Sequence, residues 1–254
     1  MKSTEIIAII NQKGGVGKTT TAVNLSAFLA HKNKKVLLID FDPQGHAGEH
    51  LNCRDEKKSA IQVLSGKADL NSQIVQSYLP TLFVLPSNLS LGSFNQSSTS
   101  DNQFALQKVI EKIPASQFDY IIIDCQPSLS LLTLNALTAS TRVILPVQAE
   151  YFALDGMIQL IKTLMEVRKK LHPKLHIMGI LITMFDSRNK LSGEVQSELQ
   201  KNFGGEVFDT VIPRNVTLAE APSFGQSIYE YDKNCSGAKS YESFGIEFLK
   251  KIKA

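Results

Sequence analysis

The 254-residue chain has no tryptophan, only three cysteines and few aromatic residues of any kind, 7% of the total. Cys53, Cys125 and Cys235 are odd in number, far apart and without a CxxC spacing. They cannot build a disulfide framework or a thiolate metal site, and a reducing compartment is the simplest expectation. Long apolar runs are missing as well. Ile6 to Ile10 and Ile177 to Phe185 fall short of the ~18–20 residues that a bilayer demands, and Met1 to Glu5 is not built like a secretory leader. Charge of one sign is scarce: 27 Lys and Arg stand against 24 Asp and Glu, a net of +3. That excludes a strongly basic nucleic-acid module on composition alone.

What remains is ordinary for a soluble globular chain, 43% hydrophobic and 20% charged. At this length one α/β core buries about three quarters of the unfolded surface, so neither metal nor disulfide staples are needed. The small positive excess is unevenly placed. Lys233, Lys239, Lys250, Lys251 and Lys253 stand against Glu242 and Glu247, while Lys162, Arg168, Lys169, Lys170 and Lys174 stand against Glu166 alone. A solvated helix face accounts for the second stretch; the first is a candidate DNA surface, because non-specific affinity comes from neutralising phosphates.

Short β-branched runs alternate with helical patterns, which predicts a single doubly wound α/β domain over residues 1–254 with a mostly parallel sheet. Strands are expected at Glu5 to Ile10, Lys35 to Ile39, Leu82 to Leu85, Tyr120 to Ile123, Arg142 to Val147, Leu175 to Thr183 and Val207 to Ile212. These are solid apolar runs, so helices should cover both faces of the sheet. Helices are expected at Lys18 to His31, Phe104 to Lys112, Leu129 to Ala139, Leu154 to Leu171, Leu191 to Phe203 and Ala238 to Ile252. Ser87 to Asn102, with six serines and three asparagines, reads as a surface loop. No internal repeat is evident, and no helix-turn-helix is expected before the first strand.

The chemistry concentrates at Asn11-Gln12-Lys13-Gly14-Gly15-Val16-Gly17-Lys18-Thr19-Thr20, between an apolar strand and a helix. In that context a glycine-rich loop turns backbone N–H groups around phosphate oxygens, and the helix N-terminus adds its dipole. Lys18 supplies charge to the β and γ phosphates and Thr19 a hydroxyl to Mg2+. Two further strands end in carboxylates, Asp40 and Asp42 after one and Asp124 after the other. In an open parallel sheet such ends converge beside the ligand crevice. Phosphoryl transfer needs Mg2+ held, charge neutralised and a water aimed in line, which this set supplies.

The loop carries Gln12 where the first glycine of the P-loop pattern belongs, followed by Lys13. This deviant Walker A resembles that of the ParA/MinD family of ATPases. Pro43-Gln44-Gly45, Ser128 to Leu137, Pro146 to Tyr151 and Ile212 to Pro222 resemble its ParA/Soj chromosome- and plasmid-partitioning branch. The resemblance implies a Mg2+-dependent ATPase, cycling between ATP and ADP, that forms a sandwich dimer when ATP-bound. In it Lys13 reaches the partner's phosphates, Asp42 positions the attacking water, Asp124 is the Walker B carboxylate, Thr19, Asp42 and Asp124 make up the Mg2+ site, and Pro213 and Arg214 close over adenine. It further implies non-specific DNA binding through Arg188, release by a ParB-like centromere-binding partner that stimulates weak hydrolysis, and a cytoplasmic bacterial protein on the nucleoid when ATP-bound. Three departures stand out: Thr217 where relatives often carry a DNA-binding arginine, Gln126 in place of a second proline, and His46 in place of Asn. The alternative is a MinD-like membrane ATPase positioning the division site or a protein cargo. It would use the stripe Tyr241, Phe244, Phe248 and Ile252, but core packing is the commoner use of such a stripe and Gly245 interrupts it. A membrane partner is not expected. Iron–sulfur relatives with this loop are excluded by the missing CxxC.

Overall fold

The computed structural model describes residues 4–96 and 101–253. Seven strands, β1 (Glu5–Ile9), β2 (Val36–Phe41), β3 (Val75–Gln76), β4 (Leu82–Leu85), β5 (Tyr120–Cys125), β6 (Arg142–Gln148) and β7 (His176–Thr183), form one sheet in the order β3-β4-β2-β5-β1-β6-β7. Every pairing is parallel except that of the short edge strand β3 with β4. Eleven α-helices are described: α1 (Lys18–His31), α2 (His46–His50), α3 (Ala60–Leu64), α4 (Leu70–Gln73), α5 (Ala105–Ile110), α6 (Leu131–Ala139), α7 (Ala153–Lys170), α8 (Lys190–Phe203), α9 (Val216–Glu220), α10 (Ile228–Asp232) and α11 (Ser236–Lys253).

Successive strand side chains point to opposite faces, and both faces are covered. Ala8, Leu37, Ile39, Ile121 and Ile123 pack with Leu106, Leu132, Met157 and Leu199 of α5 to α8. Their neighbours Ile7, Ile9, Leu38 and Ile122 pack with Phe28 of α1 and Tyr241, Phe244 and Phe248 of α11. The helical stripe weighed as a membrane face is therefore largely core: Tyr241, Phe244 and Phe248 are buried, and Ile252 packs partly against them. Gly245 interrupts the stripe because α11 meets α1 there, and a Cβ would lie 2.4 Å from the Phe28 ring. Among the described residues no helix is long and apolar enough to cross a membrane.

The expected strand at Val207 to Ile212 is not formed. Phe208 and Ile212 donate their amides to Ile180 and Ile182 of β7 at 2.9 and 2.8 Å. Between them the Asp209 and Thr210 amides turn away to the Glu247 carboxylate of α11, at 2.8 and 3.0 Å. A ladder with its middle rungs diverted leaves only isolated bridges, Val207 to Ile180 and Pro213 to Phe185. The seventh strand is instead β3. The serine-rich stretch also departs from a plain surface loop, since Leu89–Gln96 is a 3-10 helix that buries Leu91 and Phe94; residues 97–100 lie outside the described residues.

Gly245→Ala should overpack the α1–α11 contact and lower unfolding stability by about 1–3 kcal/mol. Denaturant or thermal unfolding measures this, and an unchanged midpoint would show that Phe28 can give way.

Candidate functional site

The strand order fixes the site. β1 lies between β5 and β6, so the loop leaving β1 opens onto the carboxyl ends of both, where an open parallel sheet binds its ligand. Asn11 anchors it: its Nδ2 donates to Pro146 O on β6 at 2.7 Å and its Oδ1 accepts the Lys13 amide at 3.0 Å. From β7, Thr183 Oγ1 lies 2.9 Å from Val16 O and 3.1 Å from Val147 O. Val16 is buried there, while Gly14 and Gly15 before it are exposed. Gly17 precedes α1 with φ 84°, a left-handed conformation open to glycine at little cost.

A cavity of about 610 Å3 opens above this loop. Gly14, Gly15, Gly17, Lys18, Thr19 and Thr20 line one side, and Asp42, Gln44, His46, Gln126 and Ser128 contribute to the others. A second cavity of about 180 Å3 shares Gly17, Thr20 and Met184 with it and is walled by Pro213, Arg214, Leu218 and Tyr241. Together the two have the form of a polar cradle joined to a smaller, more apolar slot. The residues expected at adenine thus border the cradle. Met184, which lines both cavities, holds φ at 50°, a strained angle for a methionine.

Beneath the cradle Asp124 is fully buried, beside Asp40 across the β2–β5 register. Burial, and then the neighbouring Asp40, raises its pKa well above the carboxylate range; Thr19 and Lys18 act the other way. Among the described residues neither Asp124 oxygen has a hydrogen-bond partner. An orphaned buried carboxylate beside a threonine hydroxyl fits a divalent cation, which needs oxygen donors and neutralises the acid. Among the described residues no group of three His, Cys, Asp or Glu side chains could hold a metal by itself. Phosphate and water oxygens would complete the shell, as is usual for Mg2+.

The two carboxylates of the β2 exit do different things. Asp40 is fully buried, accepting the Gly48 amide at 2.8 Å and the Asp42 amide at 3.3 Å; burial pushes its pKa up to about 7. It anchors the 42–48 turn. Asp42 is half-buried, accepts the Gln44 amide at 3.0 Å and faces the cavity. Lys18 is buried, its pKa lowered by desolvation against the pull of Asp124, and its Nζ donates to Lys13 O at 3.0 Å. The Lys13 side chain does not line the cavity. It turns outward into an ion pair with Glu150, both side chains about half exposed. Glu150 lies within the Pro146 to Tyr151 stretch, but the resemblance assigns it no role there; Met184 and Thr183 carry no motif, and only their positions at a strand exit could have drawn attention to them.

The residues expected on DNA are not gathered into one patch. Arg188 is exposed and grips Asp186 through Nε and Nη2 at 3.0 and 2.9 Å, holding that carboxyl down to about 2. Arg214 adds to this field at the cavity rim. Lys233 and Lys239 flank the start of α11, which Ser236 ties to Asn215 at 3.0 Å. Lys250 and Lys251 lie at the far end of that 18-residue helix, ~27 Å long at 1.5 Å per residue. Lys251 Nζ donates to Gly205 O at 2.9 Å and sits 5.0 Å over the Phe208 ring.

The chain matches a family model described as an AAA domain over residues 4–177. It is 43% identical to the chromosome partitioning protein ParA of Caulobacter vibrioides, covering 96% of this chain and 93% of that one. It is 43% identical to the chromosome-partitioning ATPase Soj of Treponema pallidum, covering 96% of each. Among solved structures, a cobyrinic acid a,c-diamide synthase from Mycobacterium smegmatis, with bound ADP and magnesium, superposes with a TM-score of 0.85. It is 32% identical over 99% of this chain and 96% of that one.

Lys18→Ala removes the one buried cation of the cradle and should weaken nucleotide binding on the order of 100-fold, as removal of a charge-assisted hydrogen bond implies. Titration with a fluorescent ATP analogue reads this directly, and retained affinity would mean that the loop does not cradle phosphate.

Proposed function

The chain belongs to the ParA/Soj family of partitioning ATPases, and on that premise we propose that it is an ATP-gated DNA-segregation switch. ATP binding brings two protomers face to face, the dimer binds DNA without sequence preference, and a ParB-like centromere-binding partner stimulates hydrolysis and release. One observation carries this reading. Every other cationic and hydroxyl group of the loop faces its own cavity, whereas Lys13 stands outside it at the rim, paired with Glu150. A lysine placed there is suited to a neighbour's phosphates.

The neighbour solved with ADP and magnesium supports the same ligands here. Mg2+ would supply neutralisation of the charge that develops on the phosphoryl oxygens. The chain's own residues do the rest. The Gly14, Gly15 and Gly17 amides and Lys18 hold the phosphates, Lys18 giving up the Lys13 carbonyl in exchange. Thr19 and Asp124 hold the cation, and Asp42 on its Asp40-anchored turn orients water. Pro213 and Arg214 bound the slot for the base. For DNA, Arg188, Lys233 and Lys239 near the rim are the stronger candidates, because two protomers meeting through their nucleotide faces would bring these sites together. Lys250 and Lys251 are remote from that junction. The membrane alternative gains no support, since the stripe it requires is largely core.

Asp42→Ala should bind ATP but hydrolyse it poorly, leaving a dimer that persists by light scattering; a monomer at saturating ATP would contradict the role given to Asp42. ATP-dependent DNA binding over a salt series tests the whole reading. Arg188→Glu should weaken that binding, with dimerisation intact, and lower the slope of log affinity against log salt by about 1 for each DNA phosphate that a protomer no longer neutralises.

A further inference from the structure

Two strands that pair side by side end together at the larger cavity. β2 and β5 stay in parallel register as far as Phe41 and Cys125, so the next residue of each, Asp42 and Gln126, leaves the sheet beside the other. Both line the cavity that holds the glycine-rich loop. Gln126 stands where relatives usually carry a second proline, whose side chain has no hydrogen-bonding group. Here that position is half-buried and its carboxamide is held at one end. Nε2 donates to the Oγ of Ser130, the residue that precedes α6, and the Gln126 main-chain carbonyl accepts the Ser128 amide at 3.0 Å. Thr133 Oγ1 donates to Ser128 O, which ties the same loop to the helix. An amide tethered through its N–H group turns its carbonyl oxygen the other way, and that oxygen can only accept.

We propose that Gln126 is a second catalytic residue of this chain, whose Oε1 accepts one hydrogen of the attacking water while Asp42 accepts the other. The proposal rests on the reading of the cavity as an ATP-hydrolysing site. Its physical basis is orientation. A water held by one acceptor swings about that bond, whereas two acceptors fix both O–H directions and so aim the oxygen lone pair. Phosphoryl transfer asks the protein for little beyond such positioning and charge neutralisation, and a glutamine carboxamide is one of the groups that supply it. The water oxygen bonds to the γ-phosphorus as the bond from that phosphorus to the β–γ bridging oxygen breaks, giving ADP and inorganic phosphate. One water proton stays on the new phosphate hydroxyl and the other passes to a phosphate oxygen, so Gln126 takes neither. Its neutrality also matters, since a further carboxylate there would set more negative charge against the triphosphate. Ser130 is the positioning residue, because it holds the amide at its other end.

The test follows single-turnover ATP hydrolysis by the full chain with Mg2+. Gln126→Ala should slow it on the order of tenfold, the worth of one hydrogen bond made in the transition state, with the affinity for a fluorescent, non-hydrolysable ATP analogue unchanged. Binding of ADP with aluminium fluoride and Mg2+, which mimics the phosphoryl group in transfer, should weaken by a similar factor, and binding of ADP alone should not. Ser130→Ala should show a smaller loss of the same kind, and no further loss when added to Gln126→Ala, because the two side chains act as one unit. Unchanged hydrolysis in Gln126→Ala would overturn the proposal. So would a slowdown matched by lost affinity for the ATP analogue or by a lowered thermal midpoint, which would make the amide a tie of the loop alone. A wild type that neither binds nor hydrolyses ATP would instead overturn the ATPase reading, and this inference with it.

Discussion

A parallel sheet buried on both faces leaves polar chemistry only one place to go, the ends of its strands, and the site of this protein follows from that constraint. Side chains along β1, β2 and β5 alternate between two apolar clusters, and a charge within either would lack partners. At the carboxyl ends the backbone leaves the ladder and its amides become free for ligands. There the chain sets its P-loop, the Asp40–Asp42 turn and Asp124. Because β1 lies between β5 and β6, the loop is flanked by Asp124 below and Glu150 at the rim.

The electrostatics of that edge are unbalanced by the fold itself. Asp40 and Asp124 sit side by side, fully buried, and burial raises the pKa of both. Asp40 is compensated by two backbone amides and so serves the turn that carries Asp42. Asp124 has no such compensation among the described residues. The difference separates an acid that anchors a turn from one left without a partner among the described residues. Lys18, nearby and itself desolvated, is held by the Lys13 carbonyl, which fixes its ammonium within the loop.

Much of this was legible in the chain. The solid apolar runs of β1, β2, β4, β5, β6 and β7 and the periodicity of α1, α6, α7, α8 and α11 announced themselves, because burial on two faces and on one stripe leave distinct patterns. Val207 to Ile212 carried the same signal and is not a strand. Its two middle amides are claimed by Glu247, almost forty residues later, a competition that no local pattern records. The short helices α2, α3, α4, α9 and α10 escaped notice for a related reason, being four or five residues each and held by their neighbours more than by propensity.

The sequence alone carried the doubly wound class and the glycine-rich loop before a helix, and it put forward Lys18, Thr19 and Asp124 as candidates by residue type and position, and Asp42 by family resemblance. Tertiary structure decided which acid is which, where Lys13 points and how the basic residues divide. Asp40 and Asp42 are two residues apart on one strand exit, yet one is sealed under Gly48 and the other opens on the cavity. Lys13 is drawn to Glu150, 137 residues away. Lys239 and Lys251 belong to one helix but lie toward its opposite ends. Each of these depends on contacts between distant segments, and only the closed sheet brings such segments together.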